Sequence, residues 1–366
     1  MRLTVDIKTL NAGILTVIKS LSSKPVIAVL EGIYLHARKD GLFLRCSDMT
    51  LQIDCLIDAD VDEEGQVVLP GRLFADIVRR LPGDAASMRL EGRTMSITAG
   101  KVRTQLQCMD PKDFPDMELL GENITFSMPQ LELKEMIRQT IFAAASGDTK
   151  PILAGALFEL KDNMLTTVAL DGFRLALRRY ATGAVLQDNE AVVPSKALLE
   201  IARTLFESDE AVKVSFSKAH MLVDLGHTRM ISRLLEGEFI RYRNILPSEH
   251  KTRVRVNREA LLNSIERAIL LAREGVNNLV RFSVEEDMLK LYANSALGKL
   301  DEEVQIHLNG DPIEIAFNAR YFSDVMRTLT DEEVYLDINT NISPCVVTPI
   351  QGNAFYYLVL PVRIFA

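Results

Sequence analysis

The chain has 366 residues and a formal net charge of −8 at pH 7, and 48% of its residues are hydrophobic and 25% charged. This length exceeds that of a domain with a single hydrophobic core, so we expect two or three domains. The composition excludes a disordered or fibrous protein. The negative net charge excludes indiscriminate binding to nucleic acid, but it leaves open a local basic face.

The predicted elements recur in the same order along the chain. Amphipathic helices are predicted at IKTLNAGILTVIKSL from Ile7, LELKEMIRQTIFAAA from Leu131 and NREALLNSIERAILLA from Asn257, because apolar residues recur there every three or four positions. Short alternating strands follow, such as SMRLEGRTMSITAG, VKVSFSKAHMLVDLG and DEEVYLDINTNISPCVVTPI. The pattern predicts two-layer domains of helices and antiparallel sheets.

A second helical pattern identifies an internal repeat. It follows a short β-like run in VVLPGRLFADIVRRLP, AVVPSKALLEIARTLF and EIAFNARYFSDVMRTL, and its first basic residues, Arg72, Lys196 and Arg320, recur at a constant interval of 124 residues, close to a third of the chain. We therefore predict an α+β fold of three repeated domains, each with two helices packed on antiparallel sheets. The expected domains are 1–123, 124–251 and 252–366.

Cysteine and histidine spacing gives no sign of a metal or redox site. Cys46, Cys55, Cys108 and Cys345 form no C-x-x-C pair, and the five histidines are scattered. We expect four buried, reduced thiols and no cofactor. The sequence has no run of about eighteen apolar residues and no signal-peptide core, so a cytoplasmic protein without a membrane partner is expected.

Basic residues recur on the predicted helices. In each copy a pair lies seven positions apart, which returns both side chains to one helical face, and in the second copy Lys134 and Arg138 lie four apart on another helix. For a single helix these would be ordinary solvent-facing charges, but the threefold recurrence favours a shared face that contacts phosphates without reading sequence. The residues are Arg72, Arg79, Lys134, Arg138, Lys196, Arg203, Arg320 and Arg327.

The search for catalytic motifs is negative. No nucleotide-binding glycine loop and no H-E-x-x-H occurs, and the acidic run at 58–62 fails as a calcium loop because Glu63 and Leu69 replace the required glycine and glutamate. In TVALDGFRLAL, residues 167–177, Asp171 and Arg174 could act as an acid and an oxyanion clamp. The alternative is a structural Asp-Gly turn whose arginine caps carbonyl groups.

Several separated motifs resemble one known family. ALDGFRLAL, ISRLLEGEFIRYRNILP, RAILLAREGVNNLV, YYLVLPVRI and the threefold repeat resemble the beta sliding clamps, the beta subunits of bacterial DNA polymerase III, particularly those of Gram-positive lineages. The resemblance covers essentially the whole chain. It implies a non-catalytic processivity factor: a head-to-tail homodimeric ring that encircles double-stranded DNA and is loaded by an ATP-dependent clamp loader. A repeat scaffold without a DNA role and an enzyme using Asp171 remain the alternatives.

The resemblance also implies positions for DNA contacts and ring closure. Near the ring face, Lys24 and the loop of Ser146, Gly147, Asp148, Thr149 and Lys150 would touch DNA. Leu106 of the first copy would meet Leu270 and Leu271 of the third copy on the other subunit, although an ordinary core position remains possible for these two leucines.

Finally, the family binds peptides with hydrophobic anchors in a groove between the second and third copies. The implied partners are the alpha-type subunit of DNA polymerase III, the clamp loader, other polymerases and repair proteins, and Arg174 would hold a partner's polar atoms. Ile240 and Asn244 differ from common family residues and leave the peptide preference open. The implied groove residues are Leu153, Leu170, Gly172, Phe173, Arg174, Leu175, Ile240, Tyr242, Asn244, Ile245, Leu358, Leu360, Pro361, Val362 and Arg363.

Overall fold

The computed structural model describes residues 1–22, 25, 27–117, 124–147, 150–183 and 186–363. Six α-helices lie in these ranges, two in each predicted copy. They are α1 (Ile7–Val17), α2 (Gly71–Val78), α3 (Gln130–Arg138), α4 (Ser195–Thr204), α5 (Arg258–Ala272) and α6 (Ala319–Thr328). None of these helices is long and apolar enough to cross a membrane.

The strands fall into three similar series. The first copy contains β1 (Arg2–Asp6), β2 (Gly32–Arg38), β3 (Gly41–Ser47), β4 (Leu51–Ile57), β5 (Asp60–Glu63), β6 (Gly65–Pro70), β7 (Ala85–Glu91), β8 (Thr94–Ala99) and β9 (Val102–Gln107). The second contains β10 (Ile124–Pro129), β11 (Gly155–Lys161), β12 (Met164–Leu170), β13 (Arg174–Ala181), β14 (Asn189–Pro194), β15 (Ala211–Phe216), β16 (His220–Asp224) and β17 (Thr228–Arg233). The third contains β18 (Thr252–Asn257), β19 (Leu279–Glu285), β20 (Met288–Ser295), β21 (Gly298–Gly310), β22 (Ile313–Asn318), β23 (Glu333–Ile338), β24 (Cys345–Pro349) and β25 (Phe355–Val359).

The repeated strand-to-helix motif has the same form in all three copies. The six-residue strands β6, β14 and β22 each run directly into α2, α4 and α6, with no intervening loop residue. Asn318 caps α6, since its side-chain oxygen accepts a hydrogen bond from the backbone N–H of Arg320 at 3.1 Å. The buried face of α6 includes Phe322 and Met326, spaced four residues apart as expected for an amphipathic helix.

The helix predicted from Leu131 is shorter than its apolar pattern. α3 ends at Arg138, and a separate 3₁₀ turn covers Ile141–Ala143. The hydroxyl of Thr140 donates to the carbonyl oxygen of Met136 at 2.7 Å, and such side-chain bonds compete with continuation of the helix.

Strand pairing divides the chain into two compact units that do not follow the copies. The first unit comprises 1–131 and 203–234, and the second comprises 132–202 and 235–366. The division arises because β17 of the second copy pairs with β4 of the first, whereas β13 of the second copy pairs with β25 of the third. The copies therefore pack edge to edge within each unit.

Each unit has its own sheets, and all their ladders are antiparallel. The first unit has one sheet in the order β5-β1-β7-β8-β9 and another in the order β10-β15-β16-β17-β4-β3-β2-β6. The second has a twelve-stranded sheet, β14-β11-β12-β13-β25-β24-β23-β18-β21-β20-β19-β22. Its core includes the rings of Phe282, Phe317 and Phe322, whose centroids lie 4.7 to 5.4 Å apart.

The thiols differ in one respect from the prediction. All four cysteines are free, and Cys46, Cys55 and Cys345 are buried, but Cys108 is only half-buried because it follows the last residue of the edge strand β9. Burial raises the pKa of Cys46 and Cys55, so both stay protonated at neutral pH.

Candidate functional site

The segment that joins β12 to β13 is a tight, internally bonded turn. Oδ1 of Asp171 accepts hydrogen bonds from the backbone N–H groups of Phe173, at 2.9 Å, and Arg174, at 3.0 Å. Gly172 has a φ of +94°, in the left-handed region that favours glycine. No heavy atom lies within 4 Å of where its Cβ would stand, so conformation rather than space requires glycine here. This is the structural Asp-Gly turn that the sequence left as an alternative.

Arg174 is bonded within the protein through each of its guanidinium nitrogens. Nε donates to Oδ2 of Asp171 at 3.0 Å, Nη1 to Oδ2 of Asp324 at 2.5 Å, and Nη2 to the carbonyl oxygen of Phe142 at 2.7 Å. The guanidinium carbon also lies 4.7 Å from the ring centroid of Tyr321. The arginine therefore ties the turn to α6, and its predicted contact with a partner's polar atoms stays a prediction.

A small apolar groove opens where this turn meets the last strand. Its cavity measures about 60 Å³, and all of its lining side chains except that of Arg174 are apolar. The walls come from the end of β12, the turn and start of β13, strand β25 with the residue after it, and residues 234–251, the repeat-linking segment that joins the second copy to the third. The lining residues, all of them predicted groove residues, are Leu170, Gly172, Phe173, Arg174, Leu175, Ile245, Leu358 and Leu360.

Four other predicted groove residues lie beneath or behind this cavity. Leu153 and Tyr242 are buried in the cluster that also contains Leu170, Leu175 and Leu358, so they support the groove floor. Ile240, Tyr242 and Asn244 line a separate cavity of about 320 Å³. These residues are near the groove, and their contact with a peptide stays a prediction.

The last predicted groove residues, Pro361 to Arg363, follow β25, and the first two of them pair with β22. Pro361 forms an isolated antiparallel bridge with Phe317, and the N–H of Val362 donates to the carbonyl oxygen of Ala316 at 2.8 Å. Arg363, the final described residue, is exposed. Backbone contacts with β22 thus hold Pro361 and Val362 against the sheet. The tail at 364–366 lies outside the described residues.

The basic residues predicted to face DNA fall into two groups. Arg72, Lys196 and Arg320 occupy equivalent positions in the first turns of α2, α4 and α6, and all three are exposed. Arg203 is exposed and Lys134 is half-buried. The first-turn cations are thus arranged as the repeat predicted.

Other members of the set are paired with acids. Nη2 of Arg79 lies 2.6 Å from Oδ1 of Asp76, and Nε of Arg327 lies 2.9 Å from Oε1 of Glu266. More than half of each arginine side chain is exposed, so these pairs are weak and exchangeable. Local positive charge at these two positions is nevertheless lower than the sequence suggested.

Arg138 has a structural role that the spacing did not predict. Its guanidinium forms two hydrogen bonds with Glu135, at 2.9 and 2.6 Å, and donates to the carbonyl oxygen of Thr328 at 2.7 Å. Thr328 is the last residue of α6, so Arg138 joins the end of α3 in the second copy to the end of α6 in the third. Its predicted contact with DNA stays a prediction.

The loop predicted to touch DNA is described only in part. Ser146, Gly147 and Lys150 are exposed, and Lys150 immediately precedes a 3₁₀ turn over Pro151–Ala154. The other predicted residues of this group, Lys24, Asp148 and Thr149, lie outside the described residues.

The residues predicted to close a dimer lie beside open sheet edges. Leu106 is on β9, which ends the five-stranded sheet of the first unit. In the second unit, residues 298–305 of β21 pair with β20, and within the described chain their other side has no strand. Leu271 lies 3.8 Å from the position of a Cβ on Gly298, while Leu270 is 57% exposed. The core interpretation is therefore wrong for Leu270.

Comparison with models of known protein families identifies the family to which the chain belongs. The DNA polymerase III beta subunit N-terminal domain matches residues 1–118, the central domain 127–240 and the C-terminal domain 243–363. A beta sliding clamp from Halalkalibacterium halodurans is 31% identical over 380 residues, covering 100% of both chains. The chain belongs to the DNA polymerase III beta subunit family.

Solved structures of beta subunits have the same fold as this family member. The Bacillus subtilis sliding clamp matches with a TM-score of 0.97 at 28% identity, and the Eubacterium rectale beta subunit with 0.95 at 31%. The Pseudomonas aeruginosa sliding clamp bound to griselimycin matches with 0.94 at 28% identity. Each match covers 100% of both chains.

For this beta subunit, the comparisons confirm the predicted family and the α+β fold of three clamp domains with antiparallel sheets. The domain boundaries at 123/124 and 251/252 stay predictions. So do the DNA, peptide and dimer roles of individual residues.

Proposed function

We propose that the protein is a processivity clamp: a non-catalytic homodimeric ring that encircles duplex DNA and tethers polymerases to it. The observation that carries this proposal is the exposed cation in the first turn of α2, α4 and α6, at Arg72, Lys196 and Arg320. A threefold set of cations on an acidic protein suits loose, sequence-independent contact with phosphates. A protein that acts on bacterial DNA in this way would work in the cytoplasm.

Ring closure is supported by the two open edges. A free strand edge exposes unpaired backbone donors and acceptors, and pairing β9 of one subunit with residues 298–305 of another would satisfy both. The contact joins two different edges and is therefore heterologous, and two copies that close on each other would form a ring of six clamp domains. Leu270 would add apolar contact beside the paired edges, whereas Leu106 is only 6% exposed and would add little.

Partner recruitment is supported by the apolar groove. Phe173 is 59% exposed at its rim, and Leu358 and Leu360 contribute apolar walls from the C-terminal strand. An exposed apolar cavity of this kind is typical of a site for hydrophobic anchors of a peptide. We propose that polymerases, the clamp loader and repair proteins bind here through such peptides. The bonded state of Arg174 favours this over an enzymatic role for the Asp171 turn.

The decisive experiment is topological. The protein is loaded onto nicked circular DNA by its cognate clamp loader and ATP, and the circle is then cut once. We expect rapid loss from the linear product and retention on linear DNA whose ends are blocked by bound protein. Equal retention on open linear and circular DNA would contradict encirclement.

A further inference from the structure

The groove wall that contains Ile245 belongs to an irregular segment with few connections to the sheet. The backbone N–H of Leu235 bonds to the carbonyl oxygen of Val192 at 2.8 Å, and the next long-range backbone bond joins Lys251 to Ile338 at 3.1 Å. Between them, the backbone-to-backbone bonds among described residues are all local. Side chains must therefore fix much of this segment.

One buried carboxylate makes three side-chain hydrogen bonds to this segment. Glu159 lies on β11 and is 2% exposed. It accepts a hydrogen bond from the hydroxyl of Tyr242 at 2.7 Å and two from the guanidinium of Arg243 at 2.6 and 2.5 Å. The guanidinium carbon of Arg243 lies 4.9 Å from the ring centroid of Tyr242, so both partners are held together.

A single 3₁₀ turn connects the residues bonded to Glu159 with the groove wall. Tyr242 opens the 3₁₀ turn Tyr242–Asn244, and its carbonyl oxygen accepts the N–H of Ile245 at 3.0 Å. The Tyr242 ring packs in the cluster beneath the groove, beside Leu175 and Leu358. Ile245 itself lines the cavity. The position of the wall residue thus depends on where Glu159 holds the preceding turn.

We propose that Glu159 is a positioning residue for the groove, which holds Tyr242 and Arg243 so that Ile245 forms a wall for a peptide's apolar anchor. This inference rests on the proposed function of the groove. Burial alone disfavours the ionised carboxylate, but the hydrogen bonds from Arg243 and Tyr242 outweigh it and lower the pKa of Glu159. The carboxylate is therefore charged at neutral pH and binds both partners through charge-assisted bonds.

The test measures binding of two labelled probes, griselimycin and a peptide from the replicative polymerase of the same genome, to the full-length protein. In Glu159→Gln the amide keeps the size of the side chain but loses its charge and one acceptor. We expect affinity to fall about tenfold, mainly through faster dissociation, and Tyr242→Phe to weaken it about threefold.

A matched control separates positioning from general loss of stability. Asp54 is 6% exposed and makes a similar two-bond pair with Arg45, at 2.7 and 2.8 Å, but it belongs to the first compact unit. Asp54→Asn removes a buried charge and one acceptor in the same way, and it should leave probe affinity within about twofold. An equal loss of affinity in Asp54→Asn would overturn the proposal.

A double-mutant cycle tests whether Glu159 affects peptide affinity through the position of Ile245. If Glu159 acts by placing Ile245, then Glu159→Gln should add little to the effect of Ile245→Ala, whereas independent effects would multiply. Multiplied effects, or wild-type affinity in a folded Glu159→Gln variant, would overturn the inference. If the wild-type protein binds neither probe, it is the proposed groove that fails, and this outcome is distinct from the other two.

Discussion

The backbone N–H of Leu360 donates a hydrogen bond of 2.9 Å to the carbonyl oxygen of Phe173. These residues lie almost two hundred positions apart, and the bond continues the ladder in which Arg174 opposes Val359 and Leu175 opposes Leu358. The C-terminal strand is therefore part of the groove, because its backbone completes the sheet there while its leucines line the cavity.

The first prediction concerns the wall made by Leu360. Truncation in Leu360→Ala removes apolar surface from the cavity, and we expect peptide affinity to fall about tenfold, since each lost methylene is worth about 0.8 kcal/mol when fully buried. Fluorescence anisotropy with a polymerase-derived peptide measures this. Ile342→Ala, at a position 67% exposed and outside the cavity lining, is the matched control and should bind normally. Unchanged affinity in the Leu360 variant would show that the peptide binds elsewhere.

The second prediction concerns the bonds of Arg174. In Arg174→Ala the carboxylates of Asp171 and Asp324 and the carbonyl of Phe142 lose their partner at once, so we expect the free energy of unfolding to fall by about 2–4 kcal/mol. Urea denaturation measures the change. Arg241, whose pair with Glu238 is 79% exposed on both sides, provides the control, and its alanine variant should lose less than about 0.5 kcal/mol.

Much of the fold was predictable because it is local and repeated. The first-turn cations, the two helices of each copy and the Asp-Gly turn all have short-range patterns in the sequence. The bonds of Arg174 were not predictable in this way, since Asp324 is 150 positions away and no periodicity connects the two. These hydrogen bonds give Arg174 a structural role in addition to the partner contact that the sequence predicted.

The role of Glu159 was missed although a signal existed. A lone glutamate in the apolar strand sequence GALFELK indicates a buried carboxylate with a partner, because such groups are seldom buried unpaired. The sequence could not say that the partners are Tyr242 and Arg243, 83 and 84 positions on. Likewise, the acid beside Arg138 was visible at Glu135, but the half-burial of the pair depends on packing.

The third prediction compares the acid response of two buried carboxylates. The pKa of Glu159 in the folded protein lies below its ordinary 4.5, so its stabilising effect is present above pH 4.5 and is lost as pH falls through the folded pKa. Burial raises the pKa of Asp54 above its ordinary 3.8, despite the bonds from Arg45. Protonation of Asp54 therefore favours the folded state, and its effect has the opposite sign.

Unfolding free energies measured between about pH 3 and 6 test these signs. Relative to wild type, Glu159→Gln should lose less stability on acidification, whereas Asp54→Asn should lose more. Parallel pH profiles for the two variants would contradict the assigned directions.

The fourth prediction concerns the recurring cations. Reversing Arg72, Lys196 and Arg320 to glutamate should reduce the amount of protein loaded on nicked circular DNA and raise its sensitivity to salt during loading, because favourable phosphate contacts become repulsive. Gel filtration of protein with labelled circles measures the loaded amount at several salt concentrations.

The control reverses three exposed arginines on strands or in the repeat-linking segment, and so changes the net charge equally. These are Arg89, Arg229 and Arg241. Loading of this control should resemble wild type. A similar defect in both triple variants would indicate that net charge, and not a defined DNA-facing surface, governs loading.

The fifth prediction concerns ring closure at Leu270. This side chain is 57% exposed, so Leu270→Glu should leave the fold and melting temperature of the subunit nearly unchanged while placing a charge at the proposed dimer contact. We expect the dimer dissociation constant, measured by sedimentation equilibrium, to rise at least tenfold, and retention on circular DNA to fall with it. Ile342→Glu, a reversal of polarity at another exposed apolar position, should remain dimeric. A Leu270→Glu protein that stays dimeric at nanomolar concentration would place the subunit contact at a different edge.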